Sequence, residues 1–227
     1  MDKRICVVGC DLGPGPMAYL REQFPEFEFL SYPRNAKVPD EVLARAEVLM
    51  NYGDKSQIAP AKNVRYIHTI SAGIAEVDRC HGSALPVTNG AGVYSDAVGE
   101  HVIALLLAVV HGIVPSVRNM AEKQWPAIPM LGNVNGKTIA VLGTGDIGNN
   151  AARICAAMGA RVLGFKLHAC EPFPPYSEIY TGDDGLDALL PQADAVLVCL
   201  PGSPFTKDML DARRIGLMKA GSVLVNI

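Results

Sequence analysis

The stretch Thr138–Gly148, TIAVLGTGDIG, is the most informative segment of the 227-residue sequence. It begins as an apolar, partly β-branched run typical of a buried strand and ends in a glycine-rich turn that opens a helix. Gly143, Gly145 and Gly148 have the spacing G-x-G-x-x-G. In this context the first glycine permits a tight turn, the second lets a pyrophosphate approach the backbone, and the third lets the helix pack on the strand. The segment predicts a dinucleotide-binding unit, with an ordinary glycine turn as the alternative.

Short apolar runs and helix-like stretches alternate on both sides of this loop. Upstream, the predicted strands are 5–9, 27–32, 48–52 and 66–70, and the predicted helices are 17–24 and 39–46. From the loop onward, the predicted strands are 138–143, 161–165, 195–200 and 221–227, and the predicted helices are 146–158, 185–192 and 211–218. This alternation predicts an α/β fold of two Rossmann-like or flavodoxin-like units with parallel sheets. We assign residues 1–95 to one domain and residues 96–227 to the other.

A long apolar stretch separates the two series. Ser95 is placed to cap a helix over residues 96–113, and this helix is apolar on nearly every side, which is typical of a helix buried between domains or subunits. We therefore expect it to support a homodimer. Its apolar run, VIALLLAVV, is too short to span a bilayer, so no membrane partner is expected. Pro115 and the segments that follow it, up to Gly136, predict a linker.

The end of the strand after the glycine loop bears on the choice of dinucleotide. An Asp or Glu about 20 residues after the loop usually binds the adenosine ribose and favours NAD. Here the strand ends in Gly164-Phe165-Lys166, with a lysine in place of the acid. The cation favours the 2′-phosphate of NADP, whereas a solvated lysine with no such role is the alternative. Either NADP or NAD therefore remains open, with Lys166 favouring NADP.

Composition and charge argue against several other classes of protein. Apolar residues make up 49% and charged residues 19% of the chain, which is a globular balance. The net charge of −3 gives no basic field for nucleic acid. The N-terminus enters a strand-like run at once, without the features of a secretory signal. Six scattered cysteines without a CxxC pair predict free thiols in the cytoplasm and no metal site.

Five blocks of the sequence, in this order, resemble the D-isomer-specific 2-hydroxyacid dehydrogenases. They are IHTISAGIAEVD (67–78), the run from VTNGAGVYS into the apolar helix (87–110), GKTIAVLGTGDIG (136–148), ADAVLVCLPGSPFTKDML (193–210) and LMKAGSVLVNI (217–227). The resemblance covers nearly the whole chain. It implies hydride transfer between NAD(P)H and a small 2-oxo or 2-hydroxy acid, two domains that flank a cleft, and a substrate domain that precedes the cofactor domain.

The resemblance also implies which residues of this chain form the sites. Ser71, Ala72 and Gly73 match the loop that holds the substrate carboxylate through backbone N–H groups, which suits an anion-binding turn. The cofactor side matches three groups of positions: the pyrophosphate loop, where Gly145, Asp146 and Ile147 stand; the adenosine side, with Phe165 and Lys166; and the adenine and ribose wall, with Cys199, Leu200, Pro201 and Thr206. Asp146 stands where the family often has a basic residue, so only its backbone is expected to help.

The catalytic arginine, glutamate and histidine of the family would all lie beyond Ile227. None of the five histidines matches the catalytic one, so we place no catalytic residue in this chain. We expect the 227 residues to be a fragment, a truncated product or a trimmed record, with an incomplete second domain, a first domain without its usual C-terminal helix, and little or no turnover. The rival hypotheses are a non-catalytic dinucleotide-binding or dimerising module, and a different Rossmann enzyme such as a short-chain reductase. A short-chain reductase has its glycine loop near the N-terminus, whereas the glycine loop of this chain follows residue 140.

Overall fold

The computed structural model describes residues 3–33, 36–51, 61–73, 85–128 and 132–227. Contacts between Cα atoms divide the chain into two compact units, Met1–Ala91 and Gly92–Ile227. Each unit is built on a five-stranded sheet in which every strand pair is parallel. The predicted α/β class with two parallel sheets is confirmed.

The first unit contains five strands and two helices among its described residues. In chain order they are β1 (Arg4–Val8), α1 (Pro14–Gln23), β2 (Phe27–Ser31), α2 (Asp40–Arg45), β3 (Ala46–Met50), β4 (Tyr66–Thr69) and β5 (Val87–Asn89). The strand order β2-β1-β3-β4-β5 is the flavodoxin-like one. Strand β1 is central: Ile5 and Val7 join one apolar cluster, and Cys6 and Val8 join another. Its near-continuous apolar run follows from burial on both faces.

The second unit contains the glycine-rich segment. Its elements are α3 (Ser95–Val110), α4 (Ile113–Ala121), β6 (Thr138–Leu142), α5 (Asp146–Ala157), β7 (Arg161–Phe165), β8 (Tyr176–Tyr180), α6 (Gly182–Leu189) with a 3₁₀ turn at Leu190–Gln192, β9 (Ala195–Val198), α7 (Ala212–Leu217) and β10 (Val223–Asn226). The strand order is β10-β9-β6-β7-β8. The chain first moves outward from β6 through β7 to β8, then returns to lay β9 on the other side of β6. This reversal places a topological switch point between β6 and β9.

Strand β6 is covered on both faces, which explains why its sequence is apolar at every position. Ile139 and Val141 pack in the cluster that includes residues of α3 and α5. Ala140 and Leu142 pack in the opposite cluster, with residues of α6. The two clusters hold the sheet between two layers of helix, so the ends of its strands lie at fixed positions relative to the helix termini.

The structure has a helix at the position predicted over 96–113, but the helix ends three residues earlier. Helix α3 begins at Ser95 and ends at Val110, and Gly112 adopts a left-handed conformation (φ 60°) before the chain turns into α4. Ser95 is the first helical residue rather than the cap, and its hydroxyl donates to the carbonyl oxygen of Gly92. Only one face of α3 is buried, and Val109 on the other is 46% exposed. Helix α4 occupies part of the predicted linker. Pro115 does not break this helix because it lies in the first turn, where the backbone N–H groups have no intrahelical acceptor.

Two further elements differ from the sequence-based expectation. Strand β9 ends at Val198 rather than at residue 200, so Cys199 and Leu200 belong to the loop that follows it. Strand β8 was not predicted: YSEIY follows a proline-rich stretch and carries two exposed polar residues. It lies at the edge of the sheet and pairs with β7 alone. An edge strand is partly open to solvent, so its sequence need not be apolar.

By length and composition, no single helix in the described ranges could cross a membrane. Helices α3 and α4 meet those criteria only when taken together, and they are bent by 66°.

Candidate functional site

The glycine loop joins β6 to α5, and its three glycines meet different surroundings. A Cβ on Gly143 (φ 97°) would lie 2.7 Å from the carbonyl oxygen of Cys199. A Cβ on Gly148 would lie 1.9 Å from the carbonyl oxygen of Gly143. A Cβ on Gly145 would meet no atom within 4 Å. The first and third glycines are therefore required by close backbone packing, whereas the second faces open space over the helix start.

Backbone hydrogen bonds hold the loops after three strands at one edge of the sheet. The Gly143 N–H donates to the carbonyl oxygen of Phe165 at the end of β7 (2.8 Å). The Cys199 N–H, just after β9, donates to the carbonyl oxygen of Leu142 (2.8 Å). This edge is the carboxyl end of the strands at the switch point, the usual binding position in open α/β sheets. The geometry thus brings together the predicted positions Gly143–Gly148, Phe165, Lys166, Cys199 and Leu200.

The first turn of α5 presents backbone N–H groups to this edge. Gly145 precedes the helix, no side chain caps it, and the first intrahelical bond runs from the Asn149 N–H to the Gly145 carbonyl oxygen (2.8 Å). Within the described ranges, the N–H groups of Asp146, Ile147 and Gly148 therefore have no acceptor. Three free donors and the positive end of a 12-residue helix are the features that favour binding of an anion.

Residues 103–227 match the sequence model of the family described as "D-isomer specific 2-hydroxyacid dehydrogenase, NAD binding domain". The chain belongs to this family. The match spans more than half of the chain and includes the glycine loop, the β9 loop and β10. The second unit is accordingly the NAD-binding domain of a D-2-hydroxyacid dehydrogenase family member, and the resemblance seen in the sequence is confirmed.

Relatives of the D-2-hydroxyacid dehydrogenase family extend the likeness to the first unit. D-3-phosphoglycerate dehydrogenase of Mycobacterium tuberculosis is 28% identical over 238 aligned residues, covering 100% of this chain and 43% of that protein. (S)-Sulfolactate dehydrogenase of Chromohalobacter salexigens is 27% identical over 180 residues, covering 76% of this chain and 57% of that protein. The chain thus spans about half the length of these relatives.

A solved structure shows the same fold. D-Lactate dehydrogenase from Aquifex aeolicus, complexed with NAD and lactic acid, superposes with a TM-score of 0.80 and 24% identity, covering 98% of this chain and 68% of that chain. At this identity the likeness concerns the fold.

The loop after β9 in this family member is organised by Thr206. The Thr206 hydroxyl donates to the carbonyl oxygen of Pro201 (2.6 Å) and accepts from the Ser203 N–H (2.9 Å). Thr206 therefore has a structural role, because its hydroxyl closes the loop that carries Pro201. Its role at the cofactor wall stays a prediction. Leu200 lies at the start of this loop and packs against the cluster on the α6 side of the sheet.

Cys199 contributes a neutral surface beneath the glycine loop. Burial raises the pKa of the Cys199 thiol to about 11, and burial raises that of Cys155 on α5 to about 12. Both thiols are therefore protonated at neutral pH and behave as small apolar groups. This favours packing and close backbone contact at the cofactor edge, rather than nucleophilic chemistry.

The end of β7 presents Lys166 rather than the Phe165 side chain. Phe165 is 5% exposed and packs in the core, so only its backbone faces the site. The Lys166 ammonium lies 5.8 Å from the centroid of the Phe173 ring, within the range of a cation–π contact. Phe173 in turn meets Tyr176 edge to face at 5.2 Å. Lys166 therefore carries a positive charge close to the predicted adenosine side, over an aromatic surface.

Sequence reasoning missed two residues that shape this edge. Phe173 gave no signal because it lies in a proline-rich loop. Gly164 did give one, as an isolated glycine inside a strand, which often marks a close approach of other atoms. A Cβ on Gly164 would lie 2.5 Å from Ile179 Cδ1 and 2.9 Å from Thr144 Cγ2. The glycine thus lets the glycine-rich loop rest on β7.

The predicted substrate loop lies at the carboxyl edge of the first sheet, directly after β4. Ser71, Ala72 and Gly73 are all exposed. The Ser71 hydroxyl donates to the carbonyl oxygen of Gly73 (2.8 Å), and the Asn89 side-chain amide donates to the carbonyl oxygen of Ala72 (2.6 Å). These bonds engage the carbonyl groups and fix the turn. The N–H groups of Ala72 and Gly73 have no acceptor among the residues described in this unit.

Proposed function

We propose that this chain forms the substrate domain (residues 1–95) and the NAD(P)-binding domain (residues 96–227) of an oxidoreductase that acts on small 2-hydroxy or 2-oxo acids. The observation that carries the proposal is the glycine loop at the β6/β9 switch point, with three free N–H groups at the start of α5. A bound nicotinamide dinucleotide would supply or accept the hydride. The relatives named D-3-phosphoglycerate and sulfolactate dehydrogenase support a 2-hydroxy acid as the substrate class.

The residues of this chain bind and orient the reactants in this proposal. Gly145, Asp146 and Ile147 hold the pyrophosphate through their N–H groups, and Cys199–Pro201 form the wall beside the adenine and ribose. Ser71, Ala72 and Gly73 hold the substrate carboxylate through backbone N–H groups. Proton transfer belongs to the arginine, glutamate and histidine that the family resemblance implies, and we assign it to no residue of this chain. The property expected of these residues is therefore the binding of dinucleotide and of a small 2-oxo or 2-hydroxy acid.

Lys166 supports a preference for NADP over NAD. At the end of β7 its ammonium would form a charge-assisted hydrogen bond to a 2′-phosphate. We expect Lys166→Gln to weaken NADPH binding by about tenfold while changing NADH binding by less than about twofold. Quenching of protein fluorescence during titration with each nucleotide measures both constants.

The control for this titration is Lys137→Gln, which removes a lysine next to β6 at the opposite edge of the sheet. It should leave both affinities unchanged. Equal binding of NADH and NADPH by the wild-type chain would contradict the NADP preference, and binding of neither would contradict the proposed function.

A second copy of the chain is the partner that the exposed face of α3 and α4 supports. On these two helices the apolar side chains that stay at least one-third exposed are Leu105, Val109, Ile113, Val114, Val117 and Met120, and Trp125, shortly after α4, is exposed as well. Helix α4 has no buried residue. An apolar surface of this extent is typical of an interface, and symmetric pairing of one face with itself covers it on both copies.

We expect Val117→Lys to convert a dimer to a monomer. Val117 is 59% exposed in the single chain, and the introduced lysine would place a charge inside the proposed interface. Sedimentation velocity over a concentration series would show at least a tenfold rise in the dissociation constant. Arg118→Gln changes the neighbouring residue without adding a buried charge and should leave the dimer intact. A wild-type chain that sediments as a monomer at every concentration would refute the dimer.

The thiols support a cytoplasmic location. Cys6, Cys10, Cys155, Cys170 and Cys199 are free in the structure. Free thiols persist in a reducing compartment, and those of Cys6 and Cys155 are also buried.

A further inference from the structure

The carboxylate of Asp146 lies near the position where the proposed function places a phosphate. Asp146 is the first residue of α5, its side chain is exposed, and its own N–H is one of the three free donors. Four covalent bonds separate that nitrogen from the carboxylate oxygens. A pyrophosphate that accepts a hydrogen bond from this N–H would therefore lie within about 6 Å of the carboxylate.

A second carboxylate lies close by. The groove along the solvent side of α5 is lined by Gly92, Asp96, Asp146 and Arg153, among others. Asp96 is held there by the side-chain amide of Asn150, which donates to it. Asn150 in turn packs against α3 so closely that a Cβ on Gly99 would lie 2.7 Å from its Oδ1. Asp96 is thus fixed beside the start of α5.

In the described parts of the chain no cation is paired with Asp146, although Lys166 lies beside Phe173, which also lines the groove. Arg153 is the one cation among the described residues that line this groove. It follows Asp146 by seven residues, which is about 10 Å along the helix axis. No hydrogen bond or salt bridge within the described parts of the chain engages the Asp146 carboxylate. Backbone donors therefore attract the pyrophosphate while an uncompensated carboxylate repels it.

We propose that Asp146 is an affinity-determining residue that weakens dinucleotide binding and makes it tighten as ionic strength rises. In the free protein the carboxylate acts as an internal anion at the positive end of the α5 dipole. A dinucleotide must bind against this charge. The usual salt dependence of phosphate binding is thereby reversed, because salt screens a repulsion here rather than an attraction. This inference rests on the proposed function.

The test compares Asp146→Asn with the wild-type chain, using NADH and ADP-ribose as ligands in calorimetric titrations. At about 0.01 M salt, where the Debye length is about 30 Å, we expect the variant to bind both ligands about tenfold more tightly. At about 1 M salt, where the Debye length is about 3 Å, the difference should shrink to about twofold. The wild-type affinity itself should increase between the two conditions.

Two control variants separate the local charge from other effects. Asp146→Glu keeps the charge, so its affinity should rise with ionic strength as the wild-type affinity does, unlike that of Asp146→Asn. Asp184→Asn removes one charge from the first turn of α6 and should change neither the affinity nor its salt response. The melting temperature of Asp146→Asn should fall by no more than about 2 °C, since one dipole contact is lost.

The outcomes distinguish this inference from the proposed function. Unchanged or weaker binding by Asp146→Asn, with a wild-type chain that binds dinucleotide, overturns the inference and leaves the proposed function standing. Failure of the wild-type chain and of all variants to bind either ligand, in folded protein, overturns both.

Discussion

Gly148→Ala is expected to abolish dinucleotide binding and to lower the free energy of unfolding by about 3 kcal/mol. The added Cβ would lie 1.9 Å from the carbonyl oxygen of Gly143 and 3.1 Å from Val141 Cγ1. Backbone must move to relieve this overlap, because the first contact is not with a flexible side chain. The Gly143 N–H is bound to Phe165 on β7, so a shift of the loop also strains the sheet.

Gly145→Ala is the matched control for this prediction. Its Cβ would meet no protein atom within 4 Å, and its φ of −83° suits any residue. The melting temperature should therefore stay within about 2 °C of the wild-type value. Dinucleotide affinity should nevertheless fall at least about tenfold, because the methyl group stands where the pyrophosphate approaches the backbone.

Thermal unfolding followed by circular dichroism, with nucleotide titration of each variant, measures both effects. The two variants should separate folding from binding within one loop. A Gly148→Ala protein that unfolds like the wild type would show that the loop packs differently from this structure. A Gly145→Ala protein that binds dinucleotide normally would place the pyrophosphate elsewhere.

Arg214→Met is expected to lower the free energy of unfolding by about 2 kcal/mol. The Arg214 side chain is only 10% exposed and joins α7 to α6 through Asp187 (2.9 Å) and Asp183 (2.6 Å). It also donates to the carbonyl oxygen of Met209 (3.0 Å). Methionine would fill the space but would leave the Met209 carbonyl group and the Asp183 carboxylate without their donor, and Asp187 would keep only its bonds from Arg213.

Arg213→Met tests whether burial, rather than the ion pair alone, sets this cost. Arg213 binds the same Asp187 at 2.6 Å, but its side chain is 56% exposed. Surface pairs contribute little, so this variant should lose clearly less stability than Arg214→Met. Urea unfolding of both variants measures the difference. Equal losses of unfolding free energy in the two variants would mean that the burial of Arg214 does not contribute to stability.

The same network makes stability sensitive to acid. Hydrogen bonds from Arg213 and then Arg214 lower the pKa of Asp187 from 3.8 to about 2. Since the pKa is lower in the folded than in the unfolded chain, Asp187 stabilises the fold above pH 4 and loses this effect as the pH falls from about 4 to about 2. Asp187→Asn should therefore flatten the pH dependence of unfolding in that window. An unchanged slope would contradict the lowered pKa.

Much of the architecture could be predicted because local patterns and tertiary structure agree. Strands β1, β6 and β7 were placed to within one residue, since parallel strands buried on both faces are apolar along their length. The glycine loop was recognised by its spacing, and the structure gives Gly143 and Gly148 a steric reason, because a Cβ at either position would overlap a carbonyl oxygen. The helix α5 was placed by the same loop and by its apolar face.

The errors arise where packing decides the outcome. The end of α3 was misplaced because an apolar run does not show where a left-handed Gly112 turns the chain. Strand β8 escaped notice because an edge strand needs no apolar pattern. Lys166 was found in the sequence, but its contact with Phe173 was not, since that contact depends on the path of a loop.

The sequence by itself determined the class of fold, the position of the dinucleotide loop and the family, because these depend on short-range spacing that survives in one dimension. Only the tertiary structure decided that Cys199 and Phe165 meet the glycine loop through their backbones and that Arg214 is buried against Asp187. Those facts join residues that are far apart in the chain. They depend on the strand order, which brings the ends of β6, β7 and β9 to one edge and which no local pattern encodes.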